Sequence, residues 1–347
     1  MVTERSDLAP KRFFALTAAL ILAIIVGACL LPHDRHLRFA SLQEAAVVKT
    51  GWIYERIHDD PTPIDVIFIG SSHSVFGVDS AEVERNVRRL IGQDVHVTNF
   101  ALQHFGRDVP WLLAREAIKA RKVRHLVVEV TGEESRAMHP AFASLADPSD
   151  MLTAPLVVNL SYFSDLAQLP LRQISLFLRT MLPGAFGAAP GFNPTQYRGA
   201  HWDDTWAQEG STVAPIHPVR PRNTSPSAAE MEHERVHWAQ LTASKLSLPP
   251  SLSWLEWRAN LQYIDRIAAL ARQHSVALRF LYLPNYRGPA RPIQATAYEK
   301  LAPIWYPPPT LLADRLFWSD VNHLNYYGAR ALAAWLATCL ADERPGS

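Results

Sequence analysis

Apolar residues fall into three rhythms along this chain. The first is a nearly unbroken apolar run over 13–32, about 19 residues up to Pro32, close to the roughly 20 needed to cross a bilayer. The second is a set of short apolar blocks at 64–69, 95–99, 125–131 and 276–283, the first three rich in β-branched residues, each predicting a buried strand. The third places apolar residues three and four apart. Val83, Val87 and Leu90 do so within 79–90, and Val109, Leu112, Leu113, Ala117 and Ile118 within 108–122. These predict amphipathic helices, as do 255–274 and 325–340, with a shorter helix near 42–54.

Strands alternating with helices at this spacing predict an α/β fold, three layers of α/β/α with a parallel sheet and right-handed crossovers. The alternation stops after Gly132. Residues 138–250 are rich in proline and loop residues, with one apolar helical stretch at 161–182, too long for a simple connection and read as an inserted cap. The expected division is a cytoplasmic N-terminus at 1–12, a transmembrane signal anchor at 13–32 and a juxtamembrane connector at 33–63. The α/β domain then runs over 64–137 and 251–341 around the insert.

Charge sets the orientation of the apolar run. Arg5, Lys11 and Arg12 precede it, so the positive-inside bias places the bulk of the chain outside the cytoplasm, single-pass in an inner membrane. Val26-Gly-Ala-Cys29 also resembles a lipoprotein acylation site, but Leu30 and Leu31 just beyond favour an uncleaved anchor. The whole chain carries 48% hydrophobic and 19% charged residues and a net charge of +1. That is ample core material and no electrostatic ground for a nucleic-acid partner. Two cysteines, Cys29 and Cys339, build no disulfide framework.

The candidate chemistry begins where the first predicted strand ends in Gly70-Ser-Ser-His-Ser74. A serine at such a corner meets solvent at the carboxyl edge of the sheet, where open α/β folds bind ligands. Serine is a poor nucleophile without a base, and the base needs an orienting carboxylate. Asp320 and His323, three apart before the last predicted helix, supply both if that turn is helical or nearly so. The candidate catalytic set is Ser72, His323 and Asp320, with Asp320 also able to cap the closing turn. His73 is a candidate substrate contact.

A rival motif is His233-Glu234-Arg-Val-His237, the His-Glu-x-x-His pattern of zinc proteases, with Glu256 as a possible third ligand. The proline-broken setting and the charged neighbours Glu232 and Arg235 favour a solvated helix face, so no metal is expected. Trp202, Trp206, Trp238, Trp254 and Trp257 offer flat faces for a carbohydrate groove or for core packing.

The first and last blocks together resemble the SGNH, or GDSL-like, superfamily. Ile67-Phe-Ile-Gly-Ser-Ser72 is similar to its strand and Gly-Asp-Ser motif, with Ser71 in place of the aspartate. Asp320-Val-Asn-His323 matches its Asp-x-x-His block. The resemblance covers roughly 64–135 and 255–340 and leaves the insert out. It implies a nucleophile at Ser72 and an oxyanion hole built from the Ser72 N–H and a second-block donor, for which Ala101 and Gly106 are imperfect candidates. The family's Gly-x-Asn-Asp block is replaced by Gly132-Glu-Glu134.

These departures and the anchor look most like envelope-polymer O-acylation proteins of the alginate O-acetylation and teichoic-acid D-alanylation type. That layout implies a serine acyltransferase or esterase acting on O-acyl groups of an extracytoplasmic polysaccharide. It would need no cofactor, and would work with an acyl donor and a membrane-bound O-acyltransferase partner. The alternatives are a non-catalytic binding or assembly protein of such a complex and, further off, the zinc protease.

Overall fold

The computed structural model describes residues 8–42, 49–186, 191–202, 224–243 and 248–343. Helix α1 (Leu8–Cys29) comes first, followed by strand β1 (Val66–Ile69), helix α2 (Ser72–Gly77), helix α3 (Ser80–Ile91) and strand β2 (Val97–Asn99). Helix α4 (Asp108–Ala120), strand β3 (His125–Val130), helix α5 (Tyr162–Met181) and helix α6 (Ala228–Ala243) follow. Helix α7 (Arg258–Gln273), strands β4 (Ala277–Tyr282) and β5 (Ile304–Trp305), and helix α8 (Tyr326–Asp342) complete the main elements.

The periodic segments formed the elements their patterns predict, within a few residues at each end. Local chemistry sets several of those ends. Asp79 accepts a hydrogen bond from Glu82 N and starts α3, and Gly92 stops it in the left-handed region at φ 66°. Asn325 starts α8 by accepting from Gly328 N at 3.0 Å. The helix expected at 42–54 instead runs over Thr50–His58, and residues 43–48 lie outside the described set. Strand β5 was not anticipated, because two residues carry no periodic signal.

All five strands are parallel, in the order β2-β1-β3-β4-β5. Alternation along β1 sends Ile67 and Ile69 into one core and Val66 and Phe68 into the other, as a sheet covered on both faces requires. The first core is closed by α4 and α7, through residues such as Leu113, Val109, Tyr263 and Ile267. The second is closed by α3 and α8, through Val83, Val87, Leu332 and Leu336.

The stretch read as a connector and the start of the insert are not separate from this body. Trp52, Ile53 and Ile57 from one, and Phe142, Leu145 and Leu169 from the other, are buried in the first core. Their apolar side chains cover the α4 side of the sheet, so that layer is assembled from three distant stretches of chain.

Among the described residues, one helix is long and apolar enough to cross a membrane. Its window Lys11–Cys29 has 19 residues and a mean hydropathy of 2.3, with none of it buried. At 1.5 Å per residue that window is about 28 Å long, the thickness of a bilayer's hydrocarbon layer.

Strand β1 lies between β2 and β3, so the chain leaves β1 towards one side of the sheet and returns as β3 on the other. The crevice at the carboxyl ends of these two strands is the topological switch point, where open α/β sheets bind ligands.

Candidate active site

The turn after β1 is held from β3. Register pairs Ile69 with Val128, which brings Gly70 beside Glu129. The Glu129 side chain is buried in this otherwise apolar strand and accepts three hydrogen bonds. Two come from Ser71, its N–H at 3.1 Å and its Oγ at 2.5 Å, and one from Ser74 N at 2.7 Å. Ser71 in turn caps α2, accepting from His73 N.

Glycine is required at 70 because a Cβ there would lie 2.5 Å from Glu129 Cβ and 2.6 Å from Glu129 Oε2. Gly70→Ala therefore displaces β3 or the turn. We expect a loss of about 1–3 kcal/mol of stability, as for other overpacked sites, measured by denaturant unfolding. A variant as stable as the parent would refute this account of Gly70.

Ser72 is half-buried between buried Ser71 and His73. Its hydroxyl lies 2.8 Å from His323 Nε2, and His323 Nδ1 lies 2.9 Å from Asp320 Oδ2. With Nδ1–H donating to the carboxylate, Nε2 is left as the acceptor facing the serine, the tautomer a general base needs. Phe76 packs edge-on against the His323 ring at 4.7 Å between centroids, limiting its rotation.

The Asp320–His323 turn is a loop and not a helical turn. Asp320 Oδ1 accepts from Asn322 N at 2.7 Å and His323 N at 3.0 Å, folding the loop around its own carboxylate. A Trp318–Leu324 bridge and the Ser319 N to His323 O bond at 2.9 Å close its base. Both side chains still leave on one side. Burial raises the Asp320 pKa, but the hydrogen bond and charge of His323, with the two backbone donors, outweigh it and hold the carboxyl below its ordinary value.

His73, expected as a substrate contact, is instead 5% exposed. Its Nε2 lies 2.9 Å from Asn285 Oδ1 and its Nδ1 3.2 Å from Ser71 Oγ. Both nitrogens are engaged with protein, so the ring positions its neighbours rather than meeting a ligand. Burial lowers its pKa; Glu129, 4.0 Å away, opposes this, and His323 adds to it.

Two of the three oxyanion candidates take other roles. Ala101 N donates to Asn99 Oδ1 at 3.0 Å. Gly106, at φ 120°, lies so close under the next segment that a Cβ would sit 2.2 Å from His139 N, which gives it a packing role. The Ser72 N–H, at the first position of α2, makes no hydrogen bond among the described residues.

The Gly132-Glu-Glu134 stretch is structural. Glu134 pairs with buried Arg107 at 2.8 Å and accepts from Tyr298 OH, while Arg107 also donates to Glu129 O at 2.7 Å. The residues of the zinc motif face solvent or are engaged elsewhere. His233 and His237 are exposed on α6, while Glu256 is tied to Arg136 at 2.6 Å. No group of three His, Cys, Asp or Glu side chains fit to hold a metal forms among the described residues. Glu234 instead accepts from Val321 N at 3.2 Å, bracing the Asp320 loop.

Three of the described tryptophans sit in different surroundings. Trp202 packs on Trp52 at 5.9 Å beside the first core, Trp238 packs on the second, and Trp254 is exposed; Trp206 lies outside the described residues.

Sequence reading missed Glu129 and Asn285. A charged residue inside a six-residue buried strand was a usable signal, since carboxyl groups are rarely buried without partners. Asn285 carried none, because it lies in an irregular loop after β4. No protein-family model matches the chain, and no curated protein matches it.

Proposed function

We propose that this protein is a membrane-anchored, SGNH-like serine acyltransferase or esterase acting on O-acyl groups of an extracytoplasmic polysaccharide. One observation carries the reading: Ser72 Oγ within 2.8 Å of His323 Nε2, with Asp320 at 2.9 Å behind the ring. These groups come from positions 251 residues apart and meet at the switch-point crevice, so a chance contact of two loops accounts poorly for all three roles.

In the reaction, His323 Nε2 takes the Ser72 proton as Oγ attacks an ester or thioester carbonyl, and the carbonyl electrons move onto oxygen. That oxyanion is met by the Ser72 N–H, which makes no hydrogen bond among the described residues. Collapse expels the leaving alcohol or thiol, which takes the proton from His323. A glycan hydroxyl, or water, then attacks the acyl-serine carbonyl with His323 again as base, and collapse breaks the bond to Ser72 Oγ, which takes the proton back from His323. The reaction uses no cofactor.

The all-parallel sheet with helices on both faces and the apolar α1 are what the SGNH-like layout and an inner-membrane anchor with a periplasmic bulk call for. Transfer to a sugar is favoured over hydrolysis by the family resemblance and by the anchor. Both suit an envelope polymer as acceptor and a membrane-bound O-acyltransferase as partner.

A second reading, a non-catalytic assembly protein, draws on the engagement of the Ala101 N–H by Asn99, which leaves the hole short of one backbone donor. An organophosphonate separates the two, because covalent capture needs an activated serine. The full-length protein in detergent is expected to gain one adduct, on the peptide carrying Ser72, and His323→Ala to suppress it. No adduct at Ser72 under conditions that label a known serine esterase would leave the assembly reading in possession.

A further inference from the structure

Helix α5 is apolar on two opposite faces. Leu169 and Leu176 turn inward and are buried. Outward, Leu171, Ile174, Leu178 and Met181 recur every three to four residues, and Phe163 lies on the same side eight residues earlier, with Phe163 72% and Leu171 73% exposed. Leu178 is nine residues from Leu169, about 180° around the helix at 100° per residue. The outward stripe is therefore a second face and not the edge of the first. It continues into the preceding turn, where Leu160 is 97% exposed. A stripe of this size on a water-facing helix marks an interaction surface.

We infer that α5 lies flat in the surface of the bilayer that α1 crosses, with its outward stripe among the acyl chains. This rests on the reading of α1 as a membrane span, and contacts at the end of α1 carry it. Gln173 Nε2, in the middle of α5, donates to Cys29 O at 3.2 Å, and Thr180 Oγ1, one to two turns on, accepts from Asp34 N at 3.0 Å. Cys29 is the last residue of the apolar window.

If that window fills the hydrocarbon layer, α5 is within one hydrogen bond of the boundary between acyl chains and headgroups. That is the depth at which amphipathic helices lie, buried by about 5–10 Å. Its inward face is already occupied by the protein core, so the outward stripe is the one left for lipid. Helical spacing puts Arg179 at the border of the stripe, at headgroup level. A bilayer is a better occupant than a partner protein, because α1 carries its own membrane to this place without a second molecule. A flat α5 fixes the tilt of the α/β domain over the membrane, which a single span would leave free.

The test uses the full chain in liposomes, with Cys29→Ser and Cys339→Ser as background and one environment-sensitive thiol probe per variant, at Leu171→Cys, Leu20→Cys or Lys119→Cys. Leu20 lies in α1 and Lys119 on the exposed side of α4. The Leu171 probe is expected to be quenched by lipid-borne nitroxide as the Leu20 probe is, and several-fold less by aqueous iodide than the Lys119 probe. Iodide reaching Leu171 as freely as Lys119, while Leu20 stays in lipid, overturns the inference and spares the anchor. A Leu171 probe that neither quencher reaches means a protein surface covers the stripe, which also overturns it. An iodide-accessible Leu20 removes the anchor and the inference together.

Discussion

Ser72→Ala is expected to lower turnover of an activated acetyl ester on the order of 10⁶-fold, the loss found for a serine acting in a working triad. Among the groups at this corner, the Ser72 hydroxyl is the one that faces His323 Nε2, at 2.8 Å. Ser71 Oγ already donates to Glu129 at 2.5 Å and is held by β3, so it is a poor substitute nucleophile. Removing Ser72 Oγ leaves the fold intact, since that oxygen satisfies no buried partner except the imidazole. Purified full-length protein, parent and variant, would be compared at saturating ester with unfolding curves alongside. Undiminished turnover in the variant would end the serine mechanism.

The second large effect is expected from Glu129→Ala. Its carboxyl group accepts from Ser71 N, Ser71 Oγ and Ser74 N, and a buried acceptor of this kind has no water to replace it. Hydrogen bonds to a charged group are each worth about 1.5–3 kcal/mol, and breaking such a buried network typically costs about 3–5 kcal/mol in all. The variant should unfold at markedly lower denaturant and lose most of its turnover, because the turn that aims Ser72 loses its anchor on β3.

Glu129→Gln separates the two losses. Its amide oxygen still accepts from the backbone, while Ser71 Oγ must turn towards His73 Nδ1, 3.2 Å away. Stability should be largely restored and activity only in part. If Glu129→Ala kept both the stability and the rate of the parent, the carboxyl group would not be what holds the nucleophile.

Local patterns announced much of this molecule. β1 is β-branched and ends at a glycine, so its place and its buried character could be read directly. The Asp320–His323 spacing brought two side chains to one side even though the turn proved to be an aspartate-centred loop and not a helix. In contrast, the insert and the connector looked separate because prolines and polar residues interrupt them. Their apolar residues nevertheless share a core with Ile67 and Leu126, and nothing in the spacing along the chain records which distant side chains will meet.

What the sequence determined by itself was therefore whatever a few neighbouring residues decide: the strand and turn at Ser72, the Asp320 and His323 pair, and an apolar helix of membrane length. What only the tertiary structure decided was convergence. Parallel pairing of β1 with β3 set Gly70 against Glu129, and packing of the loops before α8 brought an imidazole to a hydroxyl 251 residues away. Strand register and loop docking depend on the whole core, since a shift of one residue turns every strand side chain to the other face, and no short window of sequence contains that choice.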